Sequence, residues 1–488
     1  MSSEIKGRII VYSIVGCPHC KKAKSTLEEL KLPYHEISLD SYADTVREEV
    51  REKTGSRTVP QIFFNATLIG GNDEFQKLIT EDKSKFEQLL EEVRNNEPTS
   101  DAPQIPDESL LLKDQDGEID FSCEKDEDAL LIDDLKASGI IKDHSYLLVF
   151  SNKNTFAGTD LCGLDNETQS VADRDKALEI GKHLFDKGFF HIVKGKPVGE
   201  FTDSSNLCRL YEHEETSALN SGLVSDCESR PASELSESLR KLILSIYNDF
   251  LSKDGKGVDY KGIASSPKFE KYVKATAELT RVAVEDSSEE EKLAFFINIY
   301  NALVIHGNVR VGAPRTLWQR YKFFNYTSYI IGGHRYSLQD IENGILRSNR
   351  KAVGALSLPF KKNDPRLKVA LAKNEPLIHF ALVCGAKSCP PIKTYSAEGV
   401  HDQLKVAAEA FLESEDGCHV EAEKSEVHLS RIFKWYQEDF GGNDQETAKW
   451  VHEYMGEGTK KDDLQKVIES NQFKVIYMHY DWSVNSQH

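Results

Sequence analysis

Cys17-Pro18-His19-Cys20 is the part of the chain best equipped for chemistry, because its two thiols stand between an apolar run, Ile9-Ile10-Val11-Tyr12, and a helical pattern. A thiol at the first turn of a helix faces unpaired backbone N–H groups and the positive end of the macrodipole, which favour thiolate over thiol. Cys17 is therefore the expected nucleophile. Cys20, one helical turn on, is placed to attack a mixed disulfide on Cys17 and release the bound partner. Lys21, Lys22 and Lys24 add positive charge beside the thiols. The same spacing also reads as half a zinc site. The other close pair, Cys384 and Cys389, is spaced differently and lies far along the chain, so no metal is expected.

The elements that must position these thiols follow in order. Ala23, Leu27 and Leu30 mark one face of the helix, and Tyr34-His35-Glu36-Ile37 reads as a second strand. Gln61-Ile62-Phe63-Phe64 follows Thr58-Val59-Pro60 as a third, and Leu68-Ile69-Gly70-Gly71 is a fourth before a helix starting near Asp73. This order closes a small four-stranded domain. Residues 6–95 resemble glutaredoxins through Cys-Pro-x-Cys, Thr-Val-Pro and Gly-Gly followed by acidic residues. The resemblance implies a thioredoxin-like fold, catalytic Cys17 and Cys20, and glutathione as co-substrate. It further implies a cis proline at Pro60 beside backbone that pairs with the cysteinyl part of glutathione, and a Gly-Gly turn that holds the γ-glutamyl end. Those binding roles fall on Thr58, Val59, Pro60, Gly71 and Asp73, with Arg57 and the three lysines as further cationic candidates. The chain departs from the family at Ile14, where many glutaredoxins have Lys, and at His19, where they have Tyr.

A length of 488 residues with 39% hydrophobic content suits about three domains. The longest apolar runs, such as Leu377 to Cys384, are too short to span a bilayer, and no signal peptide is evident. Nine irregularly spaced cysteines make no disulfide framework, so a cytoplasmic, reducing location is expected. A net charge of −19 argues against nucleic acid as the main partner.

Composition divides the rest of the chain. Residues 96–125 read as an acidic linker and 214–237 as a polar one. Between them, residues 126–213 resemble the DEP (Dishevelled, Egl, Pleckstrin) domain, by Phe156-Ala157-Gly158-Thr159, by Ala177 with Gly181 and Leu184, and by Phe201 with Leu210-Tyr211. That resemblance implies a winged-helix-like module of intracellular signal transduction, docking a receptor tail or membrane lipid and so recruiting the protein to a membrane surface. Lys194 and Lys196 form a small basic patch there.

Residues 238–488 resemble the family catalogued as domain of unknown function 547, and are expected to form a large α-rich mixed domain. The match runs through Phe295 to Leu303, Tyr329 to Gly333, Ile378 to Pro391, Phe433 to Tyr436, Asp439-Phe440 and Tyr480 to Ser483. Asn298 and Asn301 sit in its most apolar helix, where burial forces them to find hydrogen-bond partners. Cys384 or Cys389 as nucleophile, His379 or His306 as base and Asp340 or Glu342 as orienter would make a thiol hydrolase or transferase. The preferred reading makes Cys384 a small core residue at a strand end and His379 a satisfied interior histidine. The leading function is thus thiol–disulfide exchange on disulfide-bearing or glutathionylated proteins, with a non-catalytic, glutathione-binding or redox-sensing scaffold as the alternative.

Overall fold

A computed structural model of the protein describes residues 5–15, 17–42, 44–56, 58–107, 125–146, 150–163, 174–194, 200–214, 216–223, 225–254, 257–386, 392, 395–470 and 472–486. Arg57, Lys196 and Cys389 lie outside the described residues.

Strict alternation in β1 (Ile9–Ser13) gives the N-terminal sheet two buried faces, with Ile9 and Val11 on one and Ile10 and Tyr12 on the other. The chain continues through α1 (Pro18–Glu29), β2 (His35–Ser38), α2 (Asp44–Thr54), β3 (Gln61–Phe64), β4 (Thr67–Gly70), α3 (Asn72–Glu81) and α4 (Lys83–Asn95). Strand order is β2-β1-β3-β4, with β2 parallel to β1 and the other pairings antiparallel. Helices α1, α3 and α4 cover the first face with Leu27, Phe75 and Phe86, and α2 covers the second with Val46 and Val50. Helix α2 is absent from the sequence reading because those two valines are its only apolar side chains. The start of the segment read as a solvated linker is packed instead. Ala102 is buried, and the Arg8 guanidinium donates to the Pro103 carbonyl.

The middle segment runs α5 (Asp128–Ala137), β5 (Lys142–Tyr146), β6 (Phe150–Ala157), α6 (Gly158–Cys162), α7 (Arg174–Asp186), β7 (Phe190–Lys194) and β8 (Leu207–Leu210). Its antiparallel sheet has the order β5-β6-β8-β7. Phe156, Leu184, Phe190 and Phe201 share one core. Gly181 is required there, because a Cβ would strike the Phe201 ring. Helix α5 buries Ile132 and Leu135 and leaves Leu130 exposed.

The last segment comprises α8 (Ala232–Asp249), α9 (Tyr260–Ala264), α10 (Pro267–Ala275), α11 (Glu289–Arg310), α12 (Leu317–Tyr326), β9 (Ser328–Ile331), β10 (His334–Ser337), α13 (Val400–Glu413), β11 (Cys418–Glu421), β12 (Glu426–Leu429), α14 (Arg431–Trp435), α15 (Asp444–Tyr454), α16 (Thr459–Glu469) and β13 (Lys474–Tyr477). Helix α11 is buried on all sides from Lys292 to Asn308, as an apolar helix without a polar face must be. Helix α8 crosses the expected boundary at 238, since Ala232 and Leu235 belong to the same core. The supposed polar linker before it is anchored as well. Buried Asn220 accepts from Ile330 N–H at 2.8 Å and donates to the Ile330 carbonyl at 2.9 Å. No described helix is long and apolar enough to cross a membrane.

Candidate active site

Cys17 is the N-cap residue of α1, in extended backbone, and a proline at the first helical position suits that start because its missing N–H has no partner to lose. The Cys17 Sγ accepts a hydrogen bond from the Cys20 N–H at 3.1 Å. That is the contact that stabilises negative charge on the sulfur when the thiolate forms. Cys17 and Cys20 are joined in a disulfide, their Cα atoms 5.3 Å apart, and both are buried.

The Val59–Pro60 peptide is cis, and the Val59 carbonyl oxygen lies 3.9 Å from the Cys17 Sγ. Thr58 is exposed, and its carbonyl accepts from Gln61 Nε2 at 2.9 Å. Gly71 caps α3, and a Cβ placed on it would stand 3.7 Å from the Pro60 carbonyl, so the glycine turn abuts the proline turn. The Gly71 N–H donates to Glu74 Oε2 at 3.0 Å. Glu74 therefore occupies this donor. Sequence reasoning missed it, although Glu three residues after a helix cap is a capping signal. Asp73 is exposed, its Oδ1 accepting from Asn72 Nδ2 at 2.9 Å. The structure thus gathers Cys17, Cys20, Val59, Pro60 and Gly71, with Thr58 and Asp73 next to them in the chain. His19 is exposed, and Ile14 packs on the Ile10 face of the sheet.

Two of the three lysines are engaged elsewhere. Lys24 pairs with Glu36 at 2.5 Å, and Lys21 Nζ donates to the Asn248 carbonyl at the end of α8 at 2.9 Å. Burial, with Lys24 adding to it, pushes the Lys21 ammonium pKa down. Val15 packs against the core of the last segment, so residues on both sides of Cys17 touch that segment. Cys227 is disulfide-bonded too, so oxidised cysteine is not confined to α1.

The candidate residues of the last segment separate into different surroundings. His379 Nε2 lies 2.8 Å from Asp439 Oδ2, and its ring stacks on Tyr436 with centroids 3.8 Å apart. Arg347 donates to both Asp439 oxygens at 2.6 and 3.1 Å, and Arg350 donates at 2.7 Å. Burial opposes the Asp439 charge, but hydrogen bonds from His379 and Arg347 outweigh it and hold the carboxyl well below the usual carboxylate range. Burial pushes the His379 imidazole down, only partly offset by Asp439.

Asp439, not Asp340 or Glu342, is the partner of His379. Asp340 instead accepts from the Ser337 hydroxyl at 2.8 Å, and Glu342 accepts from Tyr436 and Tyr300 at 2.6 and 3.3 Å. His306 lies 2.7 Å from the Tyr329 hydroxyl, among aromatic rings. Cys384 is half-buried, its Sγ 3.8 Å from the Tyr480 hydroxyl. It follows a 3-10 turn, Pro376–Phe380, where a strand end is expected. Among the described residues, Glu421, Glu426 and His428 offer ligand atoms within 4.8 Å of one another. Lys424 pairs with Glu421 and Lys474 with Glu426, so this group is ion-paired within the protein.

A dithiol at a helix start, set against a cis-proline on a four-stranded mixed sheet, defines a thioredoxin-like thiol–disulfide oxidoreductase domain. Comparison with known proteins agrees. The family model described as Glutaredoxin matches residues 9–69, and that described as Protein of unknown function, DUF547, matches residues 284–412. Glutaredoxin 1 of Rickettsia conorii is 35% identical over 104 residues, which are 21% of this chain and 96% of that protein. The glutaredoxin of Pseudomonas aeruginosa is 35% identical over 82 residues, 17% of this chain and 94% of that protein. A crystal structure of a buckwheat glutaredoxin–glutathione complex shares 26% identity over 19% of this chain and 82% of that one, with a TM-score of 0.17. Through its N-terminal domain the chain belongs to the glutaredoxin family.

Proposed function

We propose that the N-terminal domain catalyses glutathione-dependent reduction of protein disulfides and of protein–glutathione mixed disulfides. The observation that supports this most directly is the Cys20 N–H bonded to Cys17 Sγ beside the Val59 carbonyl. The Cys17 thiolate attacks the glutathione sulfur of a mixed disulfide, and the protein leaves as a thiolate. A second glutathione thiolate then attacks the adduct on Cys17 and departs as glutathione disulfide, restoring Cys17. On a protein disulfide, Cys17 first forms a mixed disulfide with one substrate sulfur. Cys20 attacks Cys17, releasing the reduced protein and forming the Cys17–Cys20 disulfide present here, which two glutathione molecules reopen. Val59, Pro60 and Thr58 would align the tripeptide as an added strand, and Gly71 and Asp73 would receive its γ-glutamyl end once Glu74 yields the Gly71 N–H.

Within the same proposal, residues 126–213 act as a DEP-like targeting module for intracellular signal transduction in the cytoplasm, docking a receptor tail or lipid. The last segment, from α8 onward, forms the domain against which the active-site helix rests. Incubation with glutathione disulfide followed by mass spectrometry tests the assignment. Cys20→Ser should hold one glutathione on Cys17, and Cys17→Ser should hold none; glutathione retained by Cys17→Ser would contradict it.

A further inference from the structure

Between Glu291 and Asp340 the chain carries no acidic residue, although the whole has a net charge of −19. It carries Lys292, Arg310, Arg315, Arg320, Lys322 and Arg335 instead. Within this stretch α12 and the turn before it expose large apolar side chains: Leu317 is 80% exposed, Trp318 63%, Val311 61%, Tyr326 56% and Tyr321 55%. Leu317, Trp318 and Tyr321 fall on one side of the helix, where the Trp318 and Tyr321 rings stack 5.5 Å apart. The Lys322 ammonium lies 5.3 Å from the Trp318 ring, and Arg315 is exposed beside the helix start.

The helix is firmly held from behind. Phe323 is buried in the core, and Arg320 donates to the Trp482 carbonyl at 2.9 Å. Thr316 and Gln319 close a capping box, with bonds of 3.1 and 3.2 Å. The outward apolar face is thus presented by a fixed element.

We infer that this face of α12 docks onto an anionic lipid surface. Aliphatic and indole side chains enter the boundary between headgroups and acyl chains, while adjacent Lys and Arg meet lipid phosphates and carboxylates. The acidic remainder of the protein does not cancel this attraction, because charge is screened beyond about 8–10 Å at physiological salt. A membrane fits better than an acidic polypeptide, since Leu317 projects outward with most of its surface bare and its aromatic neighbours carry polar tips suited to the headgroup layer. The site is separate from the middle module and rests on none of the redox chemistry.

Co-sedimentation of the full-length protein with phosphatidylcholine vesicles, with and without phosphatidylserine, tests the inference. Binding should require phosphatidylserine and be released by added salt. A Leu317→Ser, Trp318→Ser double variant should pellet about tenfold less, and Lys322→Gln should weaken binding about fivefold, both with unchanged glutathione turnover. Binding to neither vesicle would overturn it, as would equal pelleting of wild type and variants. A concentration-dependent dimer abolished by the double variant, in place of lipid binding, would assign the face to self-association and overturn it as well.

Discussion

His306 sits among the Phe269, Tyr272 and Tyr329 rings, and burial, reinforced by Arg310, pushes its imidazole down to about 3. The folded protein keeps it neutral while the unfolded chain protonates it near 6.5. Between those values the unfolded state binds the extra proton, so stability falls as pH falls, by up to about 1.4 kcal/mol per pH unit from this residue. Urea unfolding at about pH 7 and about pH 5 should therefore differ by about 2 kcal/mol on this account, a difference that His306→Gln removes. At Cys17 the preparation is local in another way. One backbone N–H, bonded to Sγ at 3.1 Å, is supplied by the helix the cysteine itself caps. That feature was legible in the sequence, because a cysteine before a proline at a helix start fixes where the N–H groups point. Glu74 left a capping signal as well, but that pattern marks a helix start and says nothing of the cis-proline turn that Gly71 abuts.

Helix α11 shows how a buried polar side chain carries information between elements. Asn301 donates to the Ala381 carbonyl at 3.0 Å and accepts from the Val383 N–H at 2.9 Å, clamping the backbone that leads to Cys384. Its need for partners was evident from an asparagine in an apolar helix; which segment supplied them was not, because Ala381 lies 80 residues away. The same limit explains His379. Its partner Asp439 is 60 residues distant on another element, while the nearer Asp340 and Glu342 belong to a π-helical turn that aims them elsewhere. Asp439→Ala would strand the buried Arg347 guanidinium, and denaturant titration should show a loss of about 3–5 kcal/mol. A loss below about 1 kcal/mol, as for an exposed pair, would contradict the burial argument. Helix α2 escaped notice for the opposite reason, since two valines among charged residues give too weak a periodic signal.

Over the whole molecule, single cations join segments that composition separates. The Arg281 guanidinium donates to Asp126 Oδ2 at 2.8 Å and lies 4.0 Å over the Phe189 ring, tying the last segment to the middle one. Arg281→Ala should destabilise the middle segment by about 2 kcal/mol and split its thermal transition from that of the last segment in calorimetry. Lys21 makes the corresponding link from the active-site helix to α8. The glutaredoxin domain could be read from the sequence, but the contacts between segments could not, because they join residues far apart in the chain, through the packing of Val15 as well as through Lys21 and Arg281. The proposed chemistry requires Cys17 to turn over with glutathione. Glutathione-coupled reduction of a small mixed disulfide by the full-length protein tests it most directly: turnover should vanish in Cys17→Ser and persist in Cys20→Ser, whereas a wild type without turnover, or a Cys17→Ser variant that retains it, would contradict the account.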